Sequence, residues 1–368
     1  MSMALLGFGT ATPARRILQQ DAAALASAFT QGEPGHDRTV AAIYRQTRIR
    51  SRGSVLLEDP GAAAWAQSFF PPASTTEPDG PSTQARMDRY AMEAGPLAIL
   101  AAGRALTAAG VDADAITHLV TCSCTGFASP GFDLDLLPGI GLPADVSRTH
   151  VGFMGCHGAF NALRVAEAFV AARPDSVPLV VCVELCSLHF QYGPRSDVIV
   201  AKSIFADGAA AVVGGQASRP QRAGGPTWAL DRQWSRILPD SRDEMGWLIG
   251  DHGFEMSLSA TVPGTIGRHL PEAVADGLAA AGLAVADVGS WVVHPGGPRV
   301  LTTVQDALGL SAESLAASHA VLTEHGNMSS ATVLFILERL VRGGSAGPCV
   351  AMAFGPGLTA EFALLRRT

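Results

Sequence analysis

Lysine is nearly missing from this chain; arginine greatly outnumbers it among the 26 basic residues of 368. That bias points to a GC-rich genome and excludes no function. Charge as a whole is sparse, at 16% of residues, and the net value is −7. The basic residues are scattered, and without a basic patch nucleic acid is excluded as the main partner. No apolar run reaches the roughly 18 residues that a membrane-spanning helix needs, so no membrane span is expected. The opening MSMALLGFGTATPARR lacks a basic leader followed by an apolar stretch. It predicts a first strand running straight into the fold, no signal peptide, and a cytoplasmic protein. The six cysteines, at 122, 124, 156, 182, 186 and 349, lack the paired spacing of a zinc site. They are expected to be reduced thiols, with no bound metal.

What is present is a large apolar inventory, 48% of the chain, ample for a sizeable core. Short continuous apolar runs alternate with helical stretches. Leu119–Cys124, Leu179–Leu185, Ala209–Val213, Trp291–His294 and Val350–Phe354 suit strands buried on both faces. The alternation predicts an α/β protein. The order also repeats once. LTAAGVDADAITHLVTCSCTG from Leu106 parallels LAAAGLAVADVGSWVVHPGGP from Leu278, each a helix, a Gly stop and a buried strand. GCHGAFNALRVAEAFVAARPDSVPLVVCVE from Gly155 parallels HGNMSSATVLFILERLVRGGSAGPCVAMAFG from His325, each a turn, a helix and a buried strand. Phe160–Ala171 and Ser330–Val341 are apolar around most of their circumference, which predicts helices covered on both sides. Two such helices between two sheets imply a five-layer α-β-α-β-α sandwich of two duplicated halves. The halves, 1–218 and 219–368, divide near SRPQRAGGP, a loop by composition. The first would carry a nucleophilic cysteine, the second a histidine and an asparagine.

Three residues stand at the turns this repeat predicts. Cys156, between glycines in GFMGCHGAFNALRV, lies where a helix N-terminus would stabilise a thiolate. His294 ends a strand in WVVHPGGPRVL, placed to pair with a thiolate or to donate to a developing negative oxygen. Asn327, in EHGNMSSATVLF, can donate to an enolate oxygen without supplying a proton that quenches it. Taken singly, each has an ordinary alternative: a buried structural thiol, a satisfied core imidazole, a helix cap. Phe205 precedes a turn and a buried strand in SIFADGAAAVVGG, and FGPGL makes a tight turn around Gly355 and Pro356.

Together these motifs resemble the type III polyketide synthases, the chalcone synthase-like branch of the thiolase superfamily. GCHGAFNALRVA, ELCSLHF, FADGAAAVV, HPGGPRVL, GNMSSATVLFILERL and FGPGL follow the family's order over nearly the whole chain. The resemblance implies a thiolase-like fold, a homodimer, and acyl-CoA and malonyl-CoA as substrates with no further cofactor. It implies that Cys156 carries the growing chain. His294 would keep that cysteine as a thiolate and, with Asn327, stabilise the enolate left when malonyl-CoA loses carbon dioxide. Phe205 would gate the passage between a coenzyme A tunnel and an inner cavity. Met256 falls where plant members carry a second gate phenylalanine. Cys124, Cys186, His189, Ser129, Ser329, Gly355 and Pro356 would shape the cavity, with Ser129 replacing a methionine that plant members push across the dimer interface. Arg45, Arg48 and Arg50, with Arg52 beside them, loosely match the family's coenzyme A phosphate site, as do Gly296 and Gly297 its tunnel. Met256, Cys124 and Cys186 favour an aliphatic starter and alkylpyrone or alkylresorcinol products; Trp247 and His189 favour malonyl-CoA alone and a naphthalene. Ketoacyl-carrier-protein synthases share the Cys-His-Asn chemistry but lack HPGGP and FGPGL. A papain-like hydrolase would share the residue types without the duplicated architecture.

Overall fold

Strands that are apolar at every position need cover on both faces, and the chain provides it from its own repeat. The computed structural model describes residues 2–29, 36–58, 67–74, 78–216, 228–344 and 347–367. Nine strands form one mixed sheet: β1 (Met3–Ala11), β2 (His118–Ser123), β3 (Ser147–Gly152), β4 (Pro178–Leu185), β5 (Asp207–Gln216), β6 (Trp228–Ile237), β7 (Ser290–Val293), β8 (Cys349–Gly355) and β9 (Thr359–Arg367). Their order is β7-β8-β9-β6-β1-β5-β4-β2-β3. β2 runs parallel to β3 and β4, and β7 parallel to β8; the other neighbours are antiparallel.

The two expected sheets are therefore joined at an edge. β1 meets β6 through only two residue pairs, Ala4 with Ala229 and Leu5 with Trp228. Side chains alternate across the strands. Val180 and Cys182 of β4, and Ala351 and Ala353 of β8, face a central layer built from the helices Gly158–Ala172 and Thr332–Arg342. Leu179, Val181 and Val183 face the helix Thr83–Ala109 on one outer side. Val350, Met352 and Phe354 face the helices Val262–Ala279 and Pro298–Leu308 on the other. Five layers result.

The repeat is visible in the caps. The Thr83–Ala109 helix stops at Gly110 (φ 61°), and a short 3-10 turn leads into β2. The Val262–Ala279 helix is followed by Gly282 (φ 69°), another 3-10 turn and β7. The SRPQRAGGP loop lies outside the described residues. Among the described residues no helix is long and apolar enough to cross a membrane. A two-stranded hairpin, Met245–Gly250 with Gly253–Leu258, lies apart from the large sheet.

Candidate active site

Cys156 lies in a 3-10 turn, Gly155–His157, that leads directly into the central helix Gly158–Ala172. The turn needs its glycines. Gly155 has φ +75°, and a Cβ there would stand 2.5 Å from the Pro356 side chain. A Cβ on Gly355 would stand 2.3 Å from the His157 ring. The Gly-Pro-Gly turn after β8 thus packs onto the cysteine turn and fixes its height. Two non-glycine residues with positive φ flank the site, Phe153 at 60° and Ser329 at 46°. Such backbone strain persists only where the surroundings enforce it.

Asn327 comes from the equivalent turn of the second half. Its N–H donates to Ile204 O and its C=O accepts from Ala206 N, both at 2.8 Å, so it pairs with Phe205 as an isolated parallel bridge. Its Oδ1 accepts from Ser329 N at 2.8 Å, which turns the amide nitrogen the other way. Beneath this bridge the buried Arg52 donates to Lys202 O at 2.7 Å and Phe205 O at 2.6 Å. Its guanidinium also lies 5.5 Å from the centre of the Tyr44 ring. His294 follows β7, and its N–H donates to Met352 O at 2.9 Å.

Cys156, His294 and Asn327 line one cavity of about 360 Å³, together with Phe205, Met256, Gly296 and Gly297. A smaller inner cavity of about 50 Å³ lies on the far side of Cys156, against Cys124, Cys186, His189, Lys202, Trp247 and Pro356. Four residues border both spaces: Cys156, Phe205, Met245 and Met256. The nucleophile candidate therefore stands at the boundary between a larger outer space and a smaller inner one.

Burial dominates the electrostatics. It pushes the Cys156 thiol up to about 12, while the side chains of Ser329 and Asn327 pull it down. Burial, with the His157 ring nearby, pushes His294 down to about 3. Both ring nitrogens of His294 and the amide nitrogen of Asn327 have no hydrogen-bond partner among the described residues. A buried polar atom left unpaired costs about 1–3 kcal/mol, so three of them in one cavity mark a place where a ligand oxygen belongs. Burial thus disfavours the charged form of both the thiol and the imidazole. Ser329 and Asn327 are the side chains that oppose this rise of the thiol.

Three comparisons bear on this arrangement. The family model of chalcone and stilbene synthases, N-terminal domain, matches residues 2–218, and the C-terminal domain model matches 230–368. This chain belongs to the chalcone and stilbene synthase family. It is a type III polyketide synthase, an acyltransferase that forms carbon–carbon bonds. It is 34% identical over 369 residues to the alpha-pyrone synthesis polyketide synthase-like Pks18 of Mycobacterium tuberculosis, covering 98% of this chain and 91% of that one. It is 41% identical over 267 residues to 1,3,6,8-tetrahydroxynaphthalene synthase of Streptomyces peucetius subsp. caesius, covering 71% and 70%. The crystal structure of PKS-I from the brown alga Ectocarpus siliculosus superimposes with a TM-score of 0.91 at 33% identity, covering 100% and 98%. The type III polyketide synthase domain of Steely1 from Dictyostelium does so with 0.88 at 28%, covering 100% and 99%.

Other residues of the synthase fall into place or out of it. Ser329 touches Cys124, Oγ to Sγ at 3.1 Å, and Cys124 in turn lies 3.4 Å from the buried Glu184. Glu184 also accepts from Thr125 Oγ1 at 2.8 Å and from Ser330 Oγ. The sequence reading passed over Glu184, although an acid inside the apolar run PLVVCVEL is the signal for it. His189 is fully engaged: Nε2 donates to Thr125 O at 2.7 Å and Nδ1 accepts from Phe254 N at 2.9 Å. It fastens the hairpin over the inner cavity, as does Trp247, whose ring nitrogen donates to Cys124 O at 2.7 Å. Ser129 is not at either cavity. It is exposed, next to Pro130, and lines a separate surface cleft with Phe127 and Leu134. Arg45, Arg48 and Arg50 are exposed and line neither cavity. The arginine on the outer wall is Arg299, beside Gly296 and Gly297. Arg52 is a buried clamp, taken up by backbone carbonyls.

Proposed function

We propose that this synthase joins malonyl units, delivered as malonyl-CoA, to an acyl group carried on Cys156. The observation that carries this is the single cavity holding a thiol and, opposite it, three unpartnered polar atoms of His294 and Asn327. In loading, the Cys156 sulfur attacks the thioester carbonyl of an acyl-CoA and displaces coenzyme A thiolate, which takes up the cysteine's proton. A malonyl thioester in the outer cavity then loses carbon dioxide. The released electron pair becomes an enolate, and His294 and Asn327 donate to its oxygen. The enolate carbon attacks the Cys156 thioester, which forms the carbon–carbon bond and frees the sulfur. None of these three steps is a net oxidation or reduction or calls for a metal from the protein.

An aliphatic starter is favoured by the apolar outer wall, where Ile43, Val200, Leu258, Val262 and Ile266 offer cover to an alkyl chain. Incubation with malonyl-CoA alone, then with a long-chain acyl-CoA added, separates the starters. Product only in the second mixture supports the alkyl reading; abundant aromatic product in the first, unchanged by the addition, overturns it. For the condensation itself, purified enzyme with acyl-CoA should show an acyl adduct on Cys156 by intact-protein mass spectrometry. The Cys156→Ala variant should show none and form no extended product. Normal product yield from that variant would overturn the assignment.

The reading extends to assembly and location. Met92 and Leu100 on the Thr83–Ala109 helix are 68% and 52% exposed, and Leu134 on the adjoining Phe132–Ile140 helix is 38% exposed. This apolar outer face supports a homodimer, which light scattering would measure directly. The six cysteines are all free thiols, in keeping with a cytoplasmic protein.

A further inference from the structure

Lys202 is the only lysine in the 368 residues. It is not on the surface, where lysines ordinarily lie. It sits in the helix Ser196–Ile204, is 2% exposed, and lines the inner cavity beside Cys156. Its backbone carbonyl is held by Arg52, so the residue is fixed in place. Its ammonium nitrogen has no hydrogen-bond partner and no ion-pair partner among the described residues. Three donors in a buried, water-poor space are thus left open. The rest of the inner wall does not use them: it is mostly thiols, methionines and aromatic rings, and both nitrogens of His189 are occupied. Burial lowers the lysine only to about 8, so the nitrogen still carries a proton at neutral pH. An unpaired buried cation is costly, and a carboxylate within reach is the group that relieves it best.

We propose that Lys202 is a specificity-determining residue that binds a carboxylate at the far end of the acyl group carried by Cys156. The inference rests on the polyketide synthase reading and, for the inner cavity, sets a carboxylate-ended acyl group against the alkyl starter that the outer wall favours. The inner cavity would take the acyl part of a dicarboxylic monothioester, of which malonyl is the shortest extender-type member, in preference to a neutral alkyl chain of equal length. Cys156 and Lys202 line the same small space, one holding the thioester carbon and the other the distal carboxylate. The chain's scarcity of lysine fits a single position where a compact ammonium, not a guanidinium fork, suits the room available.

Succinyl-CoA and butyryl-CoA form a length-matched pair of probes, and neither loses carbon dioxide as malonyl does. Competing equal concentrations of the two for Cys156, read by intact-protein mass spectrometry, should give an excess of succinyl adduct on the native enzyme. Lys202→Met should lower the succinyl-to-butyryl ratio by about tenfold or more, because the carboxylate is then buried unpaired. Lys202→Arg should recover part of the preference. A second measurement needs no variant. Reductive methylation with ¹³C-formaldehyde labels one side-chain amine in this chain, and its NMR signal should move on succinyl loading and stay put on butyryl loading. Adducts in an unchanged ratio, with an unmoved signal, would overturn the inference alone. No adduct from either probe while a long-chain acyl-CoA still loads Cys156 would also overturn the inference alone; no adduct on Cys156 from any acyl-CoA would sink the proposed loading step and the inference with it.

Discussion

The thiol of Cys156 must lose its proton to act, and its surroundings set how readily it does so. Burial raises it to about 12, and Ser329 and Asn327 oppose that rise. The thiolate fraction therefore grows with pH throughout the neutral range. Iodoacetamide labelling of the free enzyme should climb by about tenfold per pH unit between 6 and 9. A rate flat over that interval would show an ion pair with His294 instead. Asn327→Ala and Ser329→Ala should each slow labelling at fixed pH, since each removes a group that lowers the thiol's pKa. An Asn327→Ala variant that labels like the native enzyme would separate the amide from the sulfur. His294, pushed down to about 3 by burial, is mostly neutral from about pH 5 upward. Decarboxylation of malonyl-CoA should then show no histidine inflection between pH 5 and 8. Removing His294 or Asn327 should reduce that rate by roughly 10²–10³, as for other oxyanion donors.

At the scale of elements, the site depends on short segments that hold one another. Phe205 and Asn327 are bridged backbone to backbone, and Arg52 secures the carbonyls of Lys202 and Phe205. Arg52→Met should destabilise the fold by about 2–6 kcal/mol, from roughly 1–3 for each of the two carbonyls left unpaired. Chemical denaturation would measure it. A variant of native stability that binds coenzyme A more weakly would instead return Arg52 to phosphate binding. The central strands and helices were legible in the sequence because burial on both faces leaves few polar positions in them to confuse the period. The repeat sets Cys156 and Asn327 at equivalent turns before the two central helices and His294 after β7, and the fold brings all three to one cavity. Arg45, Arg48 and Arg50 share one short stretch with Arg52, yet they are exposed and line neither cavity while Arg52 is buried. Charge and proximity in sequence do not reveal which way a side chain turns. Ser129, expected to help shape the cavity, lies on an exposed segment that lines a separate cleft with Phe127 and Leu134. Lys202 and Glu184 needed the fold, because only the packing shows that a lone charge within an apolar stretch is enclosed.

For the whole molecule, the central layer belongs to both halves at once. Phe160 and Leu163 from one helix and Leu334 and Leu337 from the other share a single buried cluster. Leu334→Ala should therefore destabilise the entire chain by about 2–5 kcal/mol. Calorimetry should show one transition, with neither half melting ahead of the other. Two resolved transitions would mean the halves stand independently. The narrow seam between β1 and β6 bears on what would follow if they were parted. Each of these strands is the last of its own half-sheet, so a lone half would offer it as an open template to any extended chain nearby. Two residue pairs at the seam are few to hold a sheet together, but they bring the two vulnerable borders face to face. A first half on its own would therefore be most exposed to stray strand pairing in the interval before residues Trp228–Ile237 reach β1.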